Sequence, residues 1–195
     1  NERETRNGNT ISLFNHQMSF DLRDGFPLLT TKKMFIRGII EELLFFLRGD
    51  TDTNYLMNKK INIWKGNTTQ EFIDNLGLPY ASGVMGAMYG YQFRYFNAPY
   101  RVNENGLPLT PEGGVDQLKN VLDLIIQDPH SRRILMTAYN PEQAGLGVLF
   151  PCHSVVLQFY VDENYLDMFC YNRSQDTFLG VPFNIASSSL LLMII

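Results

Sequence analysis

A cysteine followed by a histidine, Cys152 and His153, is the part of this sequence with the clearest potential for chemistry. An extended apolar run, 154–161, follows the pair, and a second strand-like run covers 165–171. The polar segment 172–176 comes next, so a loop that contains arginine, serine and aspartate closes the neighbouring strand. A thiolate is a strong nucleophile, and nearby cations favour it. A cysteine beside a strand is equally compatible with a small buried hydrophobe, and this local pattern leaves both interpretations open.

Composition limits the class of protein. The chain has 195 residues, of which 45% are hydrophobic and 18% charged, and these values are ordinary for one globular domain. Its net charge of −4 predicts no nucleic-acid partner. Two cysteines do not make a disulfide framework and favour the cytoplasm. The apolar run 189–195 is too short to cross a membrane. We expect a single domain over residues 1–195 that is truncated at both ends.

A carboxylate on an apolar helix face is a second candidate for chemistry. The pattern predicts a helix from Lys33 to Arg48 that ends at Gly49. Side chains three or four positions apart share a face of a helix, and Glu42 shares its face with the apolar residues Phe35, Ile39, Phe45 and Phe46. Loss of hydration on such a face raises a carboxyl pKa, which suits a general base or acid. The same carboxyl could instead hold a hydrogen-bond network.

The remaining pattern alternates between helices, strands and loops. We predict strands or a hairpin within 11–22, a short helix over 70–76 and a long surface loop over 97–114. A helix with an apolar face is predicted from Val115 until the Asp128-Pro129 pair, followed by a strand over 134–139. Three glycines among aromatic residues in 83–94 indicate close backbone approach, either to packed neighbours or to a ligand.

Several arginines are suited to binding phosphate, because a guanidinium matches its geometry with two parallel bonds. The candidates are Arg6, Arg132, Arg133 and Arg173, and Ser174 could add a hydroxyl. Adjacent residues at the start of a strand point to opposite faces, so Arg132 and Arg133 cannot easily serve one site. One of the two could reach elsewhere, although simple exposure to solvent explains their spacing equally well.

Flat side chains and one amide complete a possible site for a nucleotide base. Trp64, Tyr89 and the glycine-rich segment 83–94 could provide stacking surfaces for a ring. Asn184 lies just inside a helix that opens at Pro182, and its amide offers a donor and an acceptor together. Combined with a phosphate clamp and a nucleophilic cysteine, these residues indicate chemistry on a nucleotide base.

Several longer motifs resemble those of the thymidylate synthase family, from about Arg6 to the end of the chain. They are the segments FPLLTTKK (26–33), EELL (41–44), YGYQ (89–92), RR (132–133), PCH (151–153) and FLGVPFNIAS (178–187). The resemblance implies an α+β fold, with a large mixed β-sheet covered by helices and a sheet face that forms a homodimer. It also implies a methyltransferase that converts dUMP to dTMP, with 5,10-methylenetetrahydrofolate as one-carbon donor and reductant and no metal.

The resemblance assigns catalytic roles to four residues of this chain. Cys152 is the nucleophile that adds to C6 of the pyrimidine and so activates C5. Glu42 organises water for proton transfer and folate activation. Tyr89 lies near the reacting ring, and His153 supports the surroundings of the nucleophile.

The same resemblance assigns the binding residues. Arg6, Arg173 and Ser174 hold the dUMP phosphate together with Arg132 and Arg133 of the partner subunit, and Asn184 binds the uracil edge. Asp176 lies near both substrate and folate, and the folate pocket is lined by Trp64, Asn67, Leu179, Gly180 and Phe183.

Two departures from the family pattern lie near the cysteine. One extra residue between Cys152 and Arg173 predicts a bulge in the strand 154–161. Asn172 replaces the usual glutamine, whose side chain helps to place the cysteine. Two alternative functions remain, a pyrimidine nucleotide hydroxymethylase of the same family and a non-catalytic nucleotide-binding protein. Trp64 and Asn184 favour the synthase over the hydroxymethylase, whereas Cys152 and Glu42 argue against a non-catalytic protein.

Overall fold

The computed structural model describes residues 2–5 and 8–195, which form a mixture of helices and antiparallel strands. The strands are β1 (Glu2–Thr5), β2 (Gly8–Ile11), β3 (Leu135–Thr137), β4 (Val156–Asp162) and β5 (Tyr165–Tyr171). The helices are α1 (Ile36–Arg48), α2 (Asn54–Asn58), α3 (Gln70–Asn75), α4 (Gly90–Tyr95), α5 (Gln117–Gln127) and α6 (Val181–Ile194). The α+β class predicted from the sequence is therefore confirmed.

The strands form two antiparallel sheets, a β1-β2 hairpin and a three-stranded sheet in the order β3-β4-β5. The register of β4 and β5 is continuous from Val156 opposite Tyr171 to Asp162 opposite Tyr165. The bulge predicted in the strand 154–161 is confirmed at the start of that strand, because the N–H of Val155 donates to the carbonyl oxygen of Tyr171 at 2.9 Å while Val156 is also paired with Tyr171, so two residues oppose one. The irregular backbone lies before β4, at Ser154, whose φ is +49°.

The prediction of strands or a hairpin within 11–22 is wrong apart from Ile11, the last residue of β2. Residues 12–21 form no strand. Alternating apolar residues specify a strand only when one face is buried, whereas the side chain of Phe14 is 98% exposed. The segment instead leads to a short 3₁₀ turn at Leu22–Asp24, where the Asp21 carboxylate accepts a hydrogen bond from the backbone N–H of Arg23 at 2.9 Å.

Helix α1 carries the candidate carboxylate and ends as predicted. Gly49 takes the left-handed conformation with φ +79°, and its N–H donates to the carbonyl oxygen of Phe46 at 2.9 Å. The helix starts later than predicted, so Phe35 stands outside it and remains partly exposed. Ile39, Leu43, Phe45 and Phe46 are buried, and burying one such side chain contributes about 1.5–3 kcal/mol.

Helix α5 shows a narrower apolar face than the sequence predicted. Its start is set by Asp116, whose carboxylate accepts from the N–H of Lys119 at 3.0 Å. Leu118 and Val121 are buried, whereas Ile126 is 79% exposed. The helix ends at Gln127, before the Asp128-Pro129 pair, as predicted.

The glycine-rich segment packs against neighbouring backbone. A Cβ at Gly90 would lie 2.4 Å from the carbonyl oxygen of Phe46, and one at Gly86 would lie 2.0 Å from that of Leu146. Of the two predicted possibilities, close approach to packed neighbours is confirmed at these two glycines. The contact at Gly90 fixes the first turn of α4 against α1, and Tyr89 stands directly before that turn.

One face of the three-stranded sheet lies against the core, and the opposite face is exposed and apolar. Met136, Leu157 and Phe159 are buried on the inner face. The large apolar side chains on the outer face are Leu135, Tyr160, Tyr165, Phe169 and Tyr171, and Tyr160 is 65% exposed. A patch of this kind commonly marks an interaction surface.

The longest of the helices in the part of the chain described, α6, has 14 residues. None of the helices in residues 2–5 and 8–195 combines the length and apolarity needed to cross a membrane. Within the same residues, no group of three or more His, Cys, Asp or Glu side chains is arranged as metal ligands would be.

Candidate active site

The loop after β5 holds the segment that contains Cys152. The carbonyl oxygen of Cys152 accepts from the backbone N–H groups of Arg173 at 2.9 Å and Ser174 at 3.2 Å. Two residues beyond the cysteine, the N–H of Ser154 donates to Oδ1 of Asn172 at 2.7 Å. The predicted proximity of the thiol and the polar loop is confirmed. Asn172 fixes the backbone next to the cysteine, at the residue with a positive φ.

The Arg173 guanidinium binds the chain immediately before the cysteine. Its Nε donates to the carbonyl oxygen of Pro151 at 3.1 Å, and one terminal nitrogen donates to that of Phe150 at 3.4 Å. A guanidinium has five N–H donors, so these two bonds leave others for a ligand. The positive charge also lies beside the chain neighbours of Cys152.

Tyr89 contacts Cys152 directly. Its hydroxyl oxygen accepts from the backbone N–H of Cys152 at 3.2 Å and lies 3.5 Å from Sγ. Because that oxygen already accepts one bond, its own proton is free to point at the sulfur. Burial, and then the charge of the neighbouring Cys152, raise the pKa of Tyr89 well above its ordinary value, which keeps the phenol protonated.

The backbone of Tyr89 is unusual. Its φ is +40° and its ψ is −102°, a conformation that side-chain-bearing residues rarely adopt. Such a residue costs about 1–3 kcal/mol and persists only when its surroundings impose it. The observed geometry therefore places strain at the residue whose hydroxyl touches the candidate nucleophile.

His153 is a neutral imidazole in this environment. Its ring stacks on that of Tyr89, with centroids 4.5 Å apart and planes inclined by 20°. Burial lowers the pKa of His153 to about 4, so the ring carries no charge near neutral pH. His153 thus provides packing next to the cysteine, and the fixed cation of this loop is Arg173.

Half-buried Glu42 and buried Trp64 form a polar pair behind Tyr89. Trp64 Nε1 donates to Glu42 Oε1 at 2.7 Å, and the Trp64 ring is 5.9 Å from that of Tyr89. Burial raises the pKa of Glu42 to about 7, and the hydrogen bond from Trp64 partly opposes the rise. The predicted rise on an apolar helix face is confirmed. Trp64 is only 7% exposed, so much of its ring is already covered by protein.

Asp176 organises the backbone that enters α6. Its Oδ1 accepts from the N–H groups of Phe178 at 2.9 Å and Leu179 at 2.6 Å. Its carbonyl oxygen accepts from Gly180 at 3.0 Å and Val181 at 2.9 Å. Leu179 is left 63% exposed. The carboxylate thus shapes the turn that presents the residues predicted to contact folate.

Asn184 lies one turn into α6 with an amide that remains available. Its backbone N–H donates to the carbonyl oxygen of Gly180 at 2.9 Å. The side chain is half-buried and makes no hydrogen bond within the residues described. A half-buried amide without a protein partner fits the predicted contact with a ligand edge.

Lys32 is a residue of this region that sequence reasoning did not single out. Its Nζ donates to the carbonyl oxygen of Phe178 at 3.0 Å and lies 5.0 Å from the rings of Phe178 and Phe183. The lysine is separated from Phe178 by 146 positions. A local pattern therefore carried no signal for this contact, even though both ends belong to motifs.

Other predicted residues lie apart from Cys152. Arg132 and Arg133 are exposed before β3, and neither guanidinium forms an ion pair or hydrogen bond with any described residue. Asn67 is half-buried in the short 3₁₀ turn Lys65–Asn67, directly after Trp64. Arg6 lies outside the described residues.

Two surface cavities of the described residues lie away from the cysteine. One of about 490 Å³ is lined by residues of α5 and β3 together with Arg133, and one of about 260 Å³ lies in the loop around Arg101. Neither contains Cys152, Tyr89 or Glu42.

Residues 1–195 match the family model of thymidylate synthase. The chain belongs to the thymidylate synthase family. Human thymidylate synthase is 46% identical over 183 residues, which cover 93% of this chain and 57% of the human protein. Thymidylate synthase 1/2 of Encephalitozoon cuniculi is 45% identical over 188 residues, or 95% of this chain and 62% of that protein.

A two-function relative also matches. The bifunctional dihydrofolate reductase-thymidylate synthase of Plasmodium berghei is 46% identical over 192 residues, or 97% of this chain and 32% of that protein. The chain therefore spans between about a third and under two thirds of these thymidylate synthase relatives.

Proposed function

We propose that the full-length protein catalyses the reductive methylation of dUMP to dTMP, with 5,10-methylenetetrahydrofolate as co-substrate. The observation that carries this proposal is the contact of Cys152 with the Tyr89 hydroxyl, next to the Arg173 loop. Membership of the thymidylate synthase family supports the choice of reaction. No metal enters the proposal.

Cys152 is the nucleophile in this mechanism. Its sulfur forms a bond to C6 of the uracil, and the ring electrons move towards O4, which makes C5 nucleophilic. After the one-carbon unit is bound at C5, loss of the C5 proton would break the bond between that carbon and the folate nitrogen, and addition of a hydride to the same carbon would then expel the thiolate from C6 and restore the ring. The Tyr89 hydroxyl stabilises the thiolate before addition and after departure, because a hydrogen bond favours the charged form of its acceptor.

Glu42 handles protons through water. Burial raises its pKa to about 7, so the protonated and ionised carboxyl are both populated near neutral pH. A group in that state can accept a proton at one step and return it at another. The Trp64 N–H holds Oε1 at 2.7 Å and leaves Oε2 for a bound water.

The folate supplies the carbon unit and the hydride that reduces it to a methyl group. The residues at the start of α6 fit a flat aromatic molecule, because Phe178 and Leu179 are exposed apolar side chains beside the half-buried Phe183. In our proposal, Leu179, Gly180 and Phe183 line this pocket with Trp64 and Asn67, and Asp176 orients the loop. Asn184 meets the uracil edge through its unpaired amide.

The substrate phosphate is bound by residues of two subunits. Arg6, Arg173 and Ser174 belong to one subunit in this proposal, and Arg132 and Arg133 belong to its partner. The free guanidinium groups of Arg132 and Arg133 support a role across an interface. The outer face of the sheet, with Tyr160 and Phe169, is the proposed contact between the subunits.

The proposed protein is a cytoplasmic homodimer whose single synthase domain includes residues 1–195. Both cysteines are free, which fits a reducing compartment. The family's larger mixed sheet would require further strands beyond the three of β3-β4-β5.

A product assay tests the proposal. The full-length protein is incubated with dUMP and 5,10-methylenetetrahydrofolate, and nucleotides and folates are separated by chromatography. We expect equal amounts of dTMP and dihydrofolate. Formation of 5-hydroxymethyl-dUMP with tetrahydrofolate would assign the protein to hydroxymethyl transfer, and binding of dUMP without any product would make it a nucleotide-binding protein.

A further inference from the structure

The strained backbone of Tyr89 requires a restraint on both of its sides. Its φ of +40° lies outside the conformations that side-chain-bearing residues prefer. The packing of Gly90 on the backbone of Phe46 restrains the side that leads into α4. On the side before Tyr89, the backbone N–H of Ala87 donates to the carbonyl oxygen of Leu146 at 3.2 Å, and the carbonyl oxygen of Ala87 is held by a separate bond.

Gln92 provides a bond that reaches back across Tyr89. Its side chain is 1% exposed, and its Nε2 donates to the carbonyl oxygen of Ala87 at 2.9 Å. The same nitrogen donates to Oε1 of Gln143 at 2.9 Å. Gln143 is in turn held by its Nε2, which donates to the carbonyl oxygen of Ala98 at 2.8 Å. The amide of Gln92 thus ties α4 to the chain on the other side of Tyr89.

The orientation of these amides is fixed by their partners. A reversed Gln92 amide would place its oxygen against the carbonyl oxygen of Ala87, which cannot donate. A reversed Gln143 amide would do the same against Ala98. Gln92 Oε1 is therefore kept away from both partners, and it is buried without a hydrogen bond in the part of the chain described. Leaving a buried acceptor unpaired costs free energy. Because Gln92 is kept in this orientation despite that cost, we infer that its structural role is to donate the two bonds from Nε2.

We propose that Gln92 is a positioning residue, whose amide holds the backbone around Tyr89 so that the tyrosine hydroxyl stays against Cys152. This inference rests on the proposed role of Cys152 as nucleophile. Gln92 itself touches neither Cys152 nor the substrate site, and acts through Tyr89. The Tyr89 hydroxyl stabilises the Cys152 thiolate by donating a hydrogen bond to it, so a displaced Tyr89 should make the sulfur less reactive. The other polar groups beside the cysteine are the neutral His153 ring, which stacks on Tyr89, and the Arg173 guanidinium, which binds the carbonyl oxygens of Pro151 and Phe150.

The test measures the reactivity of the sulfur directly and needs no turnover. Full-length protein and its Gln92→Leu, Tyr89→Phe and double variants are treated with iodoacetamide across a range of pH. Alkylation of the peptide that contains Cys152 is followed by mass spectrometry, with the Cys170 peptide as internal reference. We expect Gln92→Leu and Tyr89→Phe each to slow alkylation of Cys152 by about tenfold near neutral pH, the size of one hydrogen bond to a charged group. Both should shift the pH profile of the reaction upwards.

Two comparisons separate positioning from a general loss of stability. The double variant should react no more slowly than Tyr89→Phe, because both substitutions remove the same contact. Gln117→Leu is the matched control: its Nε2 donates to the carbonyl oxygens of Gln92 and Thr137 at 2.8 Å, but it does not bridge Tyr89. It should lower the melting temperature without moving the pH profile.

A Gln92→Leu protein that is destabilised but keeps the wild-type pH profile overturns the inference, as does a double variant in which the two effects multiply. If Gln92→Leu does not fold, Gln143→Leu, which removes one acceptor of the same amide, must show the slower alkylation or the inference fails. If the proposed function is wrong and this inference is right, the variants will show the expected alkylation rates and pH profiles while the wild-type protein forms no dTMP.

Discussion

Trp64 donates a hydrogen bond through Nε1 to Oε1 of Glu42 at 2.7 Å, and this bond joins the indole to a carboxyl that burial pushes towards the neutral form. Because the indole N–H can only donate, it favours the ionised carboxyl, whereas burial disfavours it. The two opposing effects leave the pKa of Glu42 at about 7. A proton-transfer group is thereby held near its midpoint at neutral pH.

The first prediction is that Glu42→Gln stabilises the protein at alkaline pH. The folded-state pKa of about 7 lies above the ordinary value of 4.5, so the folded protein binds more protons than the unfolded chain between these values. The neutral Glu42 carboxyl therefore contributes its full stabilisation below about pH 4.5, and this contribution is lost as the pH rises through the folded-state pKa of about 7. Glutamine keeps an acceptor for Trp64 and never ionises, so the free energy of unfolding should exceed that of wild type by up to about 3 kcal/mol at about pH 8.

Urea unfolding at about pH 4 and about pH 8 checks this prediction. The two proteins should have nearly equal stability at the lower pH and separate at the higher one, while the variant loses turnover. Glu71→Gln, at an exposed position of α3, is the matched control and should not reproduce the gain. An effect of Glu42→Gln that is the same at both pH values would contradict the account of Glu42.

Much of the site could be predicted from local sequence, and the part that could not depends on distant contacts. Glu42 was identified from its spacing on one helix, and Cys152 from its place before a strand. The contact between Tyr89 and Cys152 joins residues 63 positions apart, and the bond between Gln92 and Gln143 spans 51. No periodicity within a helix or strand reports such contacts. The prediction of strands within 12–21 was wrong for a related reason: no other part of the chain that the structure describes packs against one face of this segment, so its alternating apolar residues stay exposed.

A second prediction concerns the outer face of the sheet. Phe169→Glu places a charge in the middle of the exposed apolar face, opposite Gln158. If that face joins two copies, the variant should dissociate to monomers at concentrations where the wild type is a dimer, because an unpaired charge in an apolar interface is unfavourable. Analytical ultracentrifugation measures the change. Ile126→Glu, on the exposed side of α5, is the control and should leave the dimer intact. Equal sedimentation of all three proteins would remove this face as the interface.

A third prediction is that Arg132 acts in the site of the partner subunit. Homodimers of Cys152→Ala and of Arg132→Ala should each be impaired, the first severely. When the two are mixed and allowed to exchange subunits, one site of each heterodimer recovers an intact cysteine and an intact partner arginine. Recovered activity should approach half that of wild type per heterodimer. Purified heterodimers without such recovery would place Arg132 in its own subunit's site or outside it.

The fourth prediction concerns the choice of pyrimidine. Uracil presents an acceptor at O4 beside a donor at N3, and the amide of Asn184 can meet both. An ionised carboxylate cannot donate to O4, but it can accept from the amino group of cytosine. Asn184→Asp should shift the ratio of kcat/KM for dUMP over dCMP towards dCMP by about tenfold or more, since one unpaired buried group costs about 1–3 kcal/mol. Asn184→Ala, which removes both donor and acceptor, is the comparison. An unchanged ratio in Asn184→Asp would show that Asn184 does not distinguish the two bases.

The most direct test of the central claim is a covalent adduct at Cys152. Full-length wild type, Cys152→Ala and Cys170→Ala proteins are incubated with 5-fluoro-dUMP and 5,10-methylenetetrahydrofolate, because fluorine at C5 cannot leave as a proton does and should trap the complex. Intact-mass spectrometry should show one nucleotide and one folate added to the wild type and to Cys170→Ala, with the modification mapped to the Cys152 peptide, and no addition to Cys152→Ala. A Cys152→Ala protein that still forms the adduct, or a wild-type adduct mapped to Cys170, would contradict the assignment of Cys152 as the nucleophile.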